Sequence, residues 1–236
     1  MRIDKFISEL GVASRKEASK VARAGGVLVN GTAARDLSAH INPELDTVVF
    51  QGRELSYKKF VYVMLNKPEG YVSATEDSRL PVVTELLPEE LQARGLFPVG
   101  RLDKDTVGLM ILTNNGSLAH TVLSPKRHVE KKYYFEAGEA LPDGAEEKFR
   151  SGITLKDGYE CKSAEIDLAP KRKSGIITLT EGKYHQIKRM IASFGNAVTY
   201  LERISFAEIP LDESLERGEW RYLTESEEAL LVSFTK

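Results

Sequence analysis

The chain has 236 residues, 42% of them hydrophobic and 29% charged, a mix that suits one large globular domain or two. Its 33 Lys and Arg against 35 Asp and Glu leave a net charge of −2, which argues against a uniformly basic coat for nucleic acid. No apolar run approaches the roughly 20 residues of a membrane helix, Met1-Arg2-Ile3-Asp4-Lys5 does not read as a secretory signal, and Cys161 has no second cysteine to pair with; together these point to a reducing cytoplasm. His40, His120, His128 and His185 are dispersed and make no recognisable zinc spacing. The charge is unevenly spread. Residues 1–35 carry Arg2, Lys5, Arg15, Lys16, Lys20, Arg23 and Arg35 against Asp4, Glu9 and Glu17. Local basic surface on a near-neutral protein fits a partner held at defined places, such as structured RNA.

In chain order, Ile3, Phe6, Ile7 and Leu10 repeat at helical spacing and Gly11 ends the helix. Ser14-Arg15-Lys16-Glu17 forms a capping box for a second helix. That helix buries Ala18, Val21 and Ala22 and shows Arg15, Lys16, Lys20 and Arg23 on its other side. Val27-Leu28-Val29 reads as a strand, Asn30-Gly31 as a tight hairpin turn, and residues 47–50 as another strand. Two short helices followed by a small sheet with Val-x-Val-Asn-Gly resemble an S4 RNA-binding domain over about residues 1–55. The resemblance implies a small αL-like module, bounded at residues 1–57. Its exposed cations, Arg2 and Lys5 included, would contact phosphates without reading sequence.

A polar linker at 55–59 leads into the apolar strand 60–65 and the Pro/Gly turn Asn66-Lys67-Pro68-Glu69-Gly70. Residues 82–91 suggest a short helix or two. Gly100-Arg101-Leu102-Asp103-Lys104-Asp105-Thr106-Val107-Gly108-Leu109 follows, between the apolar runs 96–99 and 110–112. Asp103 is thereby set in a loop between two buried strands, the common place for a catalytic group. A helix carrying Leu118, Ala119, Val122 and Leu123 ends at Pro125. In the strand Lys131-Lys132-Tyr133-Tyr134-Phe135 the two tyrosines face opposite ways. Residues 153–171 read as two strands around Asp157-Gly158, and 171–175 as a basic turn. Ile176-Ile177-Thr178-Leu179 is a strand, and Glu181-Gly182-Lys183-Tyr184-His185-Gln186-Ile187-Lys188-Arg189-Met190 opens a helix stopped by Gly195-Asn196. A strand at 198–204 and a last helix from about Glu225 complete the chain.

Three of these stretches, 100–109, Lys131-x-Tyr133 and 181–190, resemble the spaced motifs of the RsuA/RluA pseudouridine synthases. Asn66-Lys67-Pro68-x-Gly70 and Gly218-x-Trp220-Arg221-x-Leu223-Thr224 resemble the same family near the two ends of its catalytic domain. The resemblance implies an α+β protein whose catalytic domain, residues 60–236, is built on a mixed, mostly antiparallel β-sheet flanked by helices. It makes Asp103 the nucleophile, Tyr133 the ring that packs on the target base, and Lys188 the cation that pairs with the carboxylate. It places Arg101, His185, Gln186 and Arg189 near the RNA. Asp105 is expected to fix its loop through backbone hydrogen bonds.

The implied reaction breaks the uridine N1–C1′ bond, turns the uracil over and joins C5 to C1′. The net change is an isomerisation that needs no cofactor and no metal, which suits a sequence with no convincing site for either. A carboxylate would add to C1′ or to C6, or abstract a proton. Lys at 188, after Tyr184-His185-Gln186, looks like the branch acting on small-subunit (16S) ribosomal RNA. The short stretch after Leu231 leans the same way, since related large-subunit enzymes often carry long basic tails. The expected partner is that RNA or its assembly intermediate, bound by a monomer. Three other readings are a synthase for 23S RNA, a non-catalytic ribosome-assembly factor, and an RNA N-glycosidase. The last lacks an evident second carboxylate to activate water.

Overall fold

A computed structural model gives the structure of residues 1–235. The chain divides into two compact units, Met1–Val61 with Leu87–Leu96, and Tyr62–Leu86 with the chain from Phe97 onward.

In the first unit, α1 (Ile3–Glu9) and α2 (Arg15–Arg23) precede a four-stranded sheet. The strands β1 (Val27–Val29), β2 (Thr32–Ala33), β3 (Val48–Phe50) and β4 (Arg53–Leu55) lie in the order β2-β1-β3-β4. The capping box forms as the sequence demands: the Glu17 amide donates to Ser14 Oγ at 3.3 Å, and the Ser14 amide donates to Glu17 at 2.9 Å. Ile3, Phe6, Ile7, Ala18, Ala22, Val27, Val48 and Phe50 make the core. This leaves Arg15, Lys16, Lys20 and Arg23 exposed on the outer side of α2. The short α3 (Glu89–Gln92) groups with this unit rather than with the chain around it. The backbone of Glu90 lies so near Gly11 that a Cβ there would be 2.5 Å from its carbonyl oxygen, and the Arg94 guanidinium donates to the Lys58 and Lys59 carbonyls. Three-dimensional grouping thus departs from the single linear boundary expected near residue 58.

The second unit is built on a nine-stranded sheet. Its strands are β5 (Tyr62–Lys67), β6 (Phe97–Pro98), β7 (Val107–Thr113), β8 (Lys131–Ala137), β9 (Glu165–Leu168), β10 (Ser174–Leu179), β11 (Val198–Phe206), β12 (Ile209–Pro210) and β13 (Trp220–Tyr222). They run in the order β13-β5-β7-β11-β8-β10-β9, with β6 beside β7 and β12 beside β11. The β7–β11 pair is parallel and the other described pairs are antiparallel. Every residue of β5 and β7 is buried, the mark of strands covered on both faces. Helices α4 (Gly116–Leu123), α5 (Ala145–Ser151), α6 (Gln186–Ala192) and α7 (Glu225–Ser233) flank the sheet, with α6 packed on β11 and α5 on β9.

One row of the register sets the level of the reacting loop. Lys67 on β5 faces Gly108 on β7, Gly108 faces Arg203 on β11, Arg203 faces Tyr133 on β8, and Tyr133 faces Ile177 on β10. Residues opposite one another share a sheet face, so this row carries Tyr133 to the level at which the 100–106 loop enters β7. Between 153 and 171 the structure forms one strand, β9, and an isolated bridge between Thr154 and Glu160, where the pattern suggests two strands. Residues 161–164 are held by other partners: the Cys161 amide donates to the Ile153 carbonyl, Ala164 to Phe149, and Lys162 to the Glu181 carboxylate.

Candidate active site

The loop 100–106 hangs between two strands and is fixed from beneath by the 67–73 segment. Lys67 is fully buried, and its ammonium donates to the carbonyls of Pro68 (3.0 Å), Lys104 (3.3 Å) and Thr106 (2.8 Å). The Gly70 amide donates to the same Lys104 carbonyl. Ser73 Oγ donates to the Leu102 carbonyl at 2.8 Å and accepts from the Leu102 amide at 2.9 Å. Burial pushes the Lys67 pKa down to about 8, against the pull of Asp105 and Asp103. The loop is therefore stitched at Leu102, Lys104 and Thr106, and Asp103 projects from a backbone with little freedom.

Asp103 faces a cavity of about 490 Å³. Around its carboxylate, Lys188 Nζ lies 3.2 Å from Oδ2 and His185 Nε2 lies 3.5 Å from Oδ1. Lys188 also pairs with Asp105 at 2.5 Å. The carboxylate of Asp105 thus makes the shorter of the two Lys188 ion pairs, a side-chain role beyond the backbone-fixing one expected for it. Burial opposes the charge on Lys188, but the hydrogen bond it donates to Asp105 and the charges of the two carboxylates outweigh it and raise its pKa. Burial likewise raises Asp105, and the hydrogen bond and charge of Lys188 more than reverse this. The ammonium is charged at neutral pH, and it favours the ionised form of the Asp105 carboxylate.

The far wall comes from β8. Lys131 and Tyr133 lie two residues apart on one face, and both line the cavity. Tyr133 is 8% exposed. Lys131 Nζ donates to the Val129 carbonyl at 2.7 Å, and burial, joined by the nearby Arg203 charge, holds its pKa down near 8. Arg203 is buried, donating through Nε to the Leu109 carbonyl at 2.7 Å.

A buried carboxylate outside the reacting loop shapes the 181–190 segment. Glu181 accepts from Gln186 Nε2 (2.6 Å), from the Lys162 amide (2.9 Å) and from the Tyr159 hydroxyl (2.8 Å). That hydrogen bond, with burial and the Glu181 charge, lifts the Tyr159 phenol to about 12. Gln186 is buried and its Oε1 accepts the Lys183 amide. Arg189 pairs with Asp157 at 2.5 Å. Gln186 and Arg189, expected near RNA, are thus engaged within the protein, holding the turn before α6 to the 157–162 segment. His185, in the left-handed region at φ +49°, begins that helix with its ring at Asp103.

The structure therefore brings Asp103, Tyr133, Lys188 and His185 to one cavity, with exposed Arg101 on its lining. The remaining expected contacts, Arg2, Lys5, Arg15, Lys16, Lys20 and Arg23, lie in the first unit, where Arg2 pairs with Asp4 at 2.8 Å and Lys5 with Glu9 at 3.5 Å. Lys67 and Glu181 fall within motifs of the sequence but carry no expected role, and Ser73, Tyr159 and Arg203 fall outside them. Lys67 carried a signal: a lysine closing a continuous apolar strand is expected to be buried with partners. Thr106, 2% exposed, keeps a hydroxyl without a hydrogen-bond partner among the described residues. None of those residues makes a group of His, Cys, Asp and Glu able to hold a metal ion, and none of their helices is long and apolar enough to cross a membrane.

Residues 61–193 match the RNA pseudouridylate synthase family, and residues 1–47 match the S4 domain. The uncharacterized RNA pseudouridine synthase YtzG of Bacillus subtilis is 43% identical, over 98% of this chain and 98% of that protein. Ribosomal small subunit pseudouridine synthase A of Escherichia coli is 39% identical, over 98% of this chain and all of that protein. A crystal structure of a pseudouridylate synthase superposes with a TM-score of 0.70 at 37% identity, covering 98% of this chain and all of that one. The S4 match on α1, α2 and the small sheet, and the family match across the loop, cavity and α6, show that this chain belongs to the RsuA-type RNA pseudouridine synthases, isomerases of RNA uridine with an N-terminal S4 domain.

Proposed function

We propose that the protein isomerises one uridine of small-subunit (16S) ribosomal RNA, with Asp103 as the nucleophile. The observation that carries this reading is the Lys188 ammonium, 3.2 Å from the Asp103 carboxylate at the edge of a cavity walled by Tyr133. A carboxylate must stay ionised when a flipped nucleotide displaces water, and a fixed cation offsets that desolvation. The full-length similarity to proteins named for the ribosomal small subunit supports the choice of RNA.

In the proposed sequence the target uridine is flipped out of folded RNA into the cavity. Asp103 attacks the nucleotide, at C1′ of the sugar or C6 of the base, and the N1–C1′ bond breaks. The uracil turns while stacked on Tyr133, a contact worth roughly 1–3 kcal/mol. C5 then bonds to C1′, the bond from Asp103 to the nucleotide breaks to return the free carboxylate, the C5 proton leaves, and N1 takes up a proton, so atoms balance with no co-reactant. Arg101 contacts phosphate or fills the gap left by the flipped base. The N-terminal module, residues 1–57, holds the RNA through phosphate contacts of Arg15, Lys16, Lys20 and Arg23. The protein works as a cytoplasmic monomer.

The test is tritium release from C5-labelled uridine in 16S RNA, naked and in assembling subunits. The wild type is expected to release tritium and Asp103→Asn to release essentially none. Release that survives in Asp103→Asn removes the nucleophile from this residue. No release from any 16S substrate, with release from 23S RNA, moves the substrate to the large subunit.

A further inference from the structure

The cavity mouth carries an aromatic ring that the proposed reaction does not use. Tyr184 is 72% exposed, yet it lines the same cavity as Asp103. Its inner face is covered: the His185 ring stacks on it with centroids 3.8 Å apart and planes 19° from parallel. Its outer face is open, and its hydroxyl has no hydrogen-bond partner among the described residues. His185 is in turn 3.5 Å from Asp103, so the stacked pair leads from solvent to the carboxylate. The backbone beneath is held firmly. The Tyr184 carbonyl accepts from Arg189, and the neighbouring Lys183 amide donates to Gln186, which is buried against Glu181.

Exposed tyrosines are common on ordinary surfaces. This one differs in its neighbours. Arg101, Lys162 and Lys183 are exposed cations lining the same cavity, and Lys183 Nζ sits 4.8 Å over the Tyr159 ring. An open π face beside cations is the combination by which proteins hold single-stranded nucleic acid: cations follow the backbone while bases stack. Flipping one nucleotide also unstacks its neighbour, leaving a base face that a fixed ring can cover.

We infer that Tyr184 is a stacking platform for the base next to the flipped uridine, with His185 behind the ring as its rigid backing. The inference rests on the reading of this cavity as the uridine site and extends it to the flanking nucleotide. Tyr184 touches RNA and takes no part in bond-making, so its contribution is to substrate binding and sequence context.

Two substitutions separate stacking from bulk. Tyr184→Phe keeps the π face, and Tyr184→Leu keeps apolar bulk without it. The probe is an oligouridylate of about ten nucleotides carrying one 2-aminopurine, a length within the usual site sizes for single strands. Wild type and Tyr184→Phe are expected to bind alike and to quench the 2-aminopurine. Tyr184→Leu is expected to bind about tenfold more weakly with little quenching, within the range known for loss of one base–aromatic stack. Equal affinity and quenching in wild type and Tyr184→Leu, or no quenching with either, overturns the inference. This arm needs no turnover, so it stands apart from the choice of ribosomal RNA, which tritium release decides. On an RNA that the wild type modifies, Tyr184→Leu should raise KM about tenfold with a smaller change in kcat, and Tyr184→Phe should restore it. A loss confined to kcat would point to a structural disturbance of His185 instead and would also overturn the stacking role.

Discussion

Lys188 stands between two carboxylates, and the asymmetry has consequences. Its shorter pair is with Asp105, whose side chain is 61% exposed, while Asp103 is 26% exposed. An exposed carboxylate is screened by water and salt, so Asp105 can aim the ammonium while leaving its charge felt by the more enclosed Asp103. Lys67 works on the other side of the same loop, through geometry. Its folded-state pKa of about 8 lies below the 10.5 of the free side chain. Between those values the unfolded chain binds a proton that the folded chain has released, so the free energy of unfolding rises with pH across this window. Lys67→Met removes the group and with it that slope. Urea unfolding at about pH 8 and about pH 10 should show the wild type gaining about 2–3 kcal/mol relative to Lys67→Met. An identical pH dependence in the two proteins would mean that Lys67 keeps its proton, and that its three carbonyl partners outweigh its burial.

At the scale of elements, the site depends on how β7 meets β11. Gly108 sits at φ +96°, and a Cβ there would lie 2.4 Å from the Arg203 carbonyl oxygen and 2.9 Å from its amide nitrogen. Both atoms belong to the backbone, so nothing flexible can yield. Gly108→Ala should therefore combine left-handed strain with overpacking, a loss of about 2–6 kcal/mol. Thermal unfolding would show it as a large fall in Tm or as failure to accumulate folded protein; a near-normal Tm would mean that the parallel pair separates without cost. Such contacts also mark the limit of what the sequence makes legible. The motif residues stand out because they are polar or glycine in short breaks between apolar runs, and the helices of the first unit are written in their caps and periodicity. Two kinds of feature are not legible in that way. One is pairing fixed by register, such as the row from Lys67 to Tyr133. The other is the choice among several carboxylates and cations: Asp105 pairs with Lys188, Arg189 with Asp157, and Gln186 with Glu181, none of which follows from spacing along the chain. Residues 153–171 mislead for a related reason. Strand-like composition there meets hydrogen-bond partners on α5 and Glu181, and tertiary context overrides propensity.

For the molecule as a whole, the near-neutral charge conceals a division of labour. The first unit presents Arg15, Lys16, Lys20 and Arg23 on one helix, while in the second unit Arg101, Lys162, Lys183 and Lys188 line the cavity. Residues 87–96 belong to the first unit although they lie within the second along the sequence, so a single cut cannot separate the two, and a truncation after residue 59 would strand buried Leu91. Point substitution on α2 is the cleaner test of RNA holding. Each phosphate contact contributes about 0.7–0.9 to the slope of log affinity against log salt. Replacing the four α2 cations with glutamine should flatten that slope by about 3 to 3.6 if all four meet phosphate. The capping box and the buried Ala18 and Ala22 are untouched, so the helix should persist by circular dichroism. A slope unchanged in the four-fold variant would make this helix an ordinary solvated face and would shift the whole electrostatic hold on RNA to the cations around the cavity.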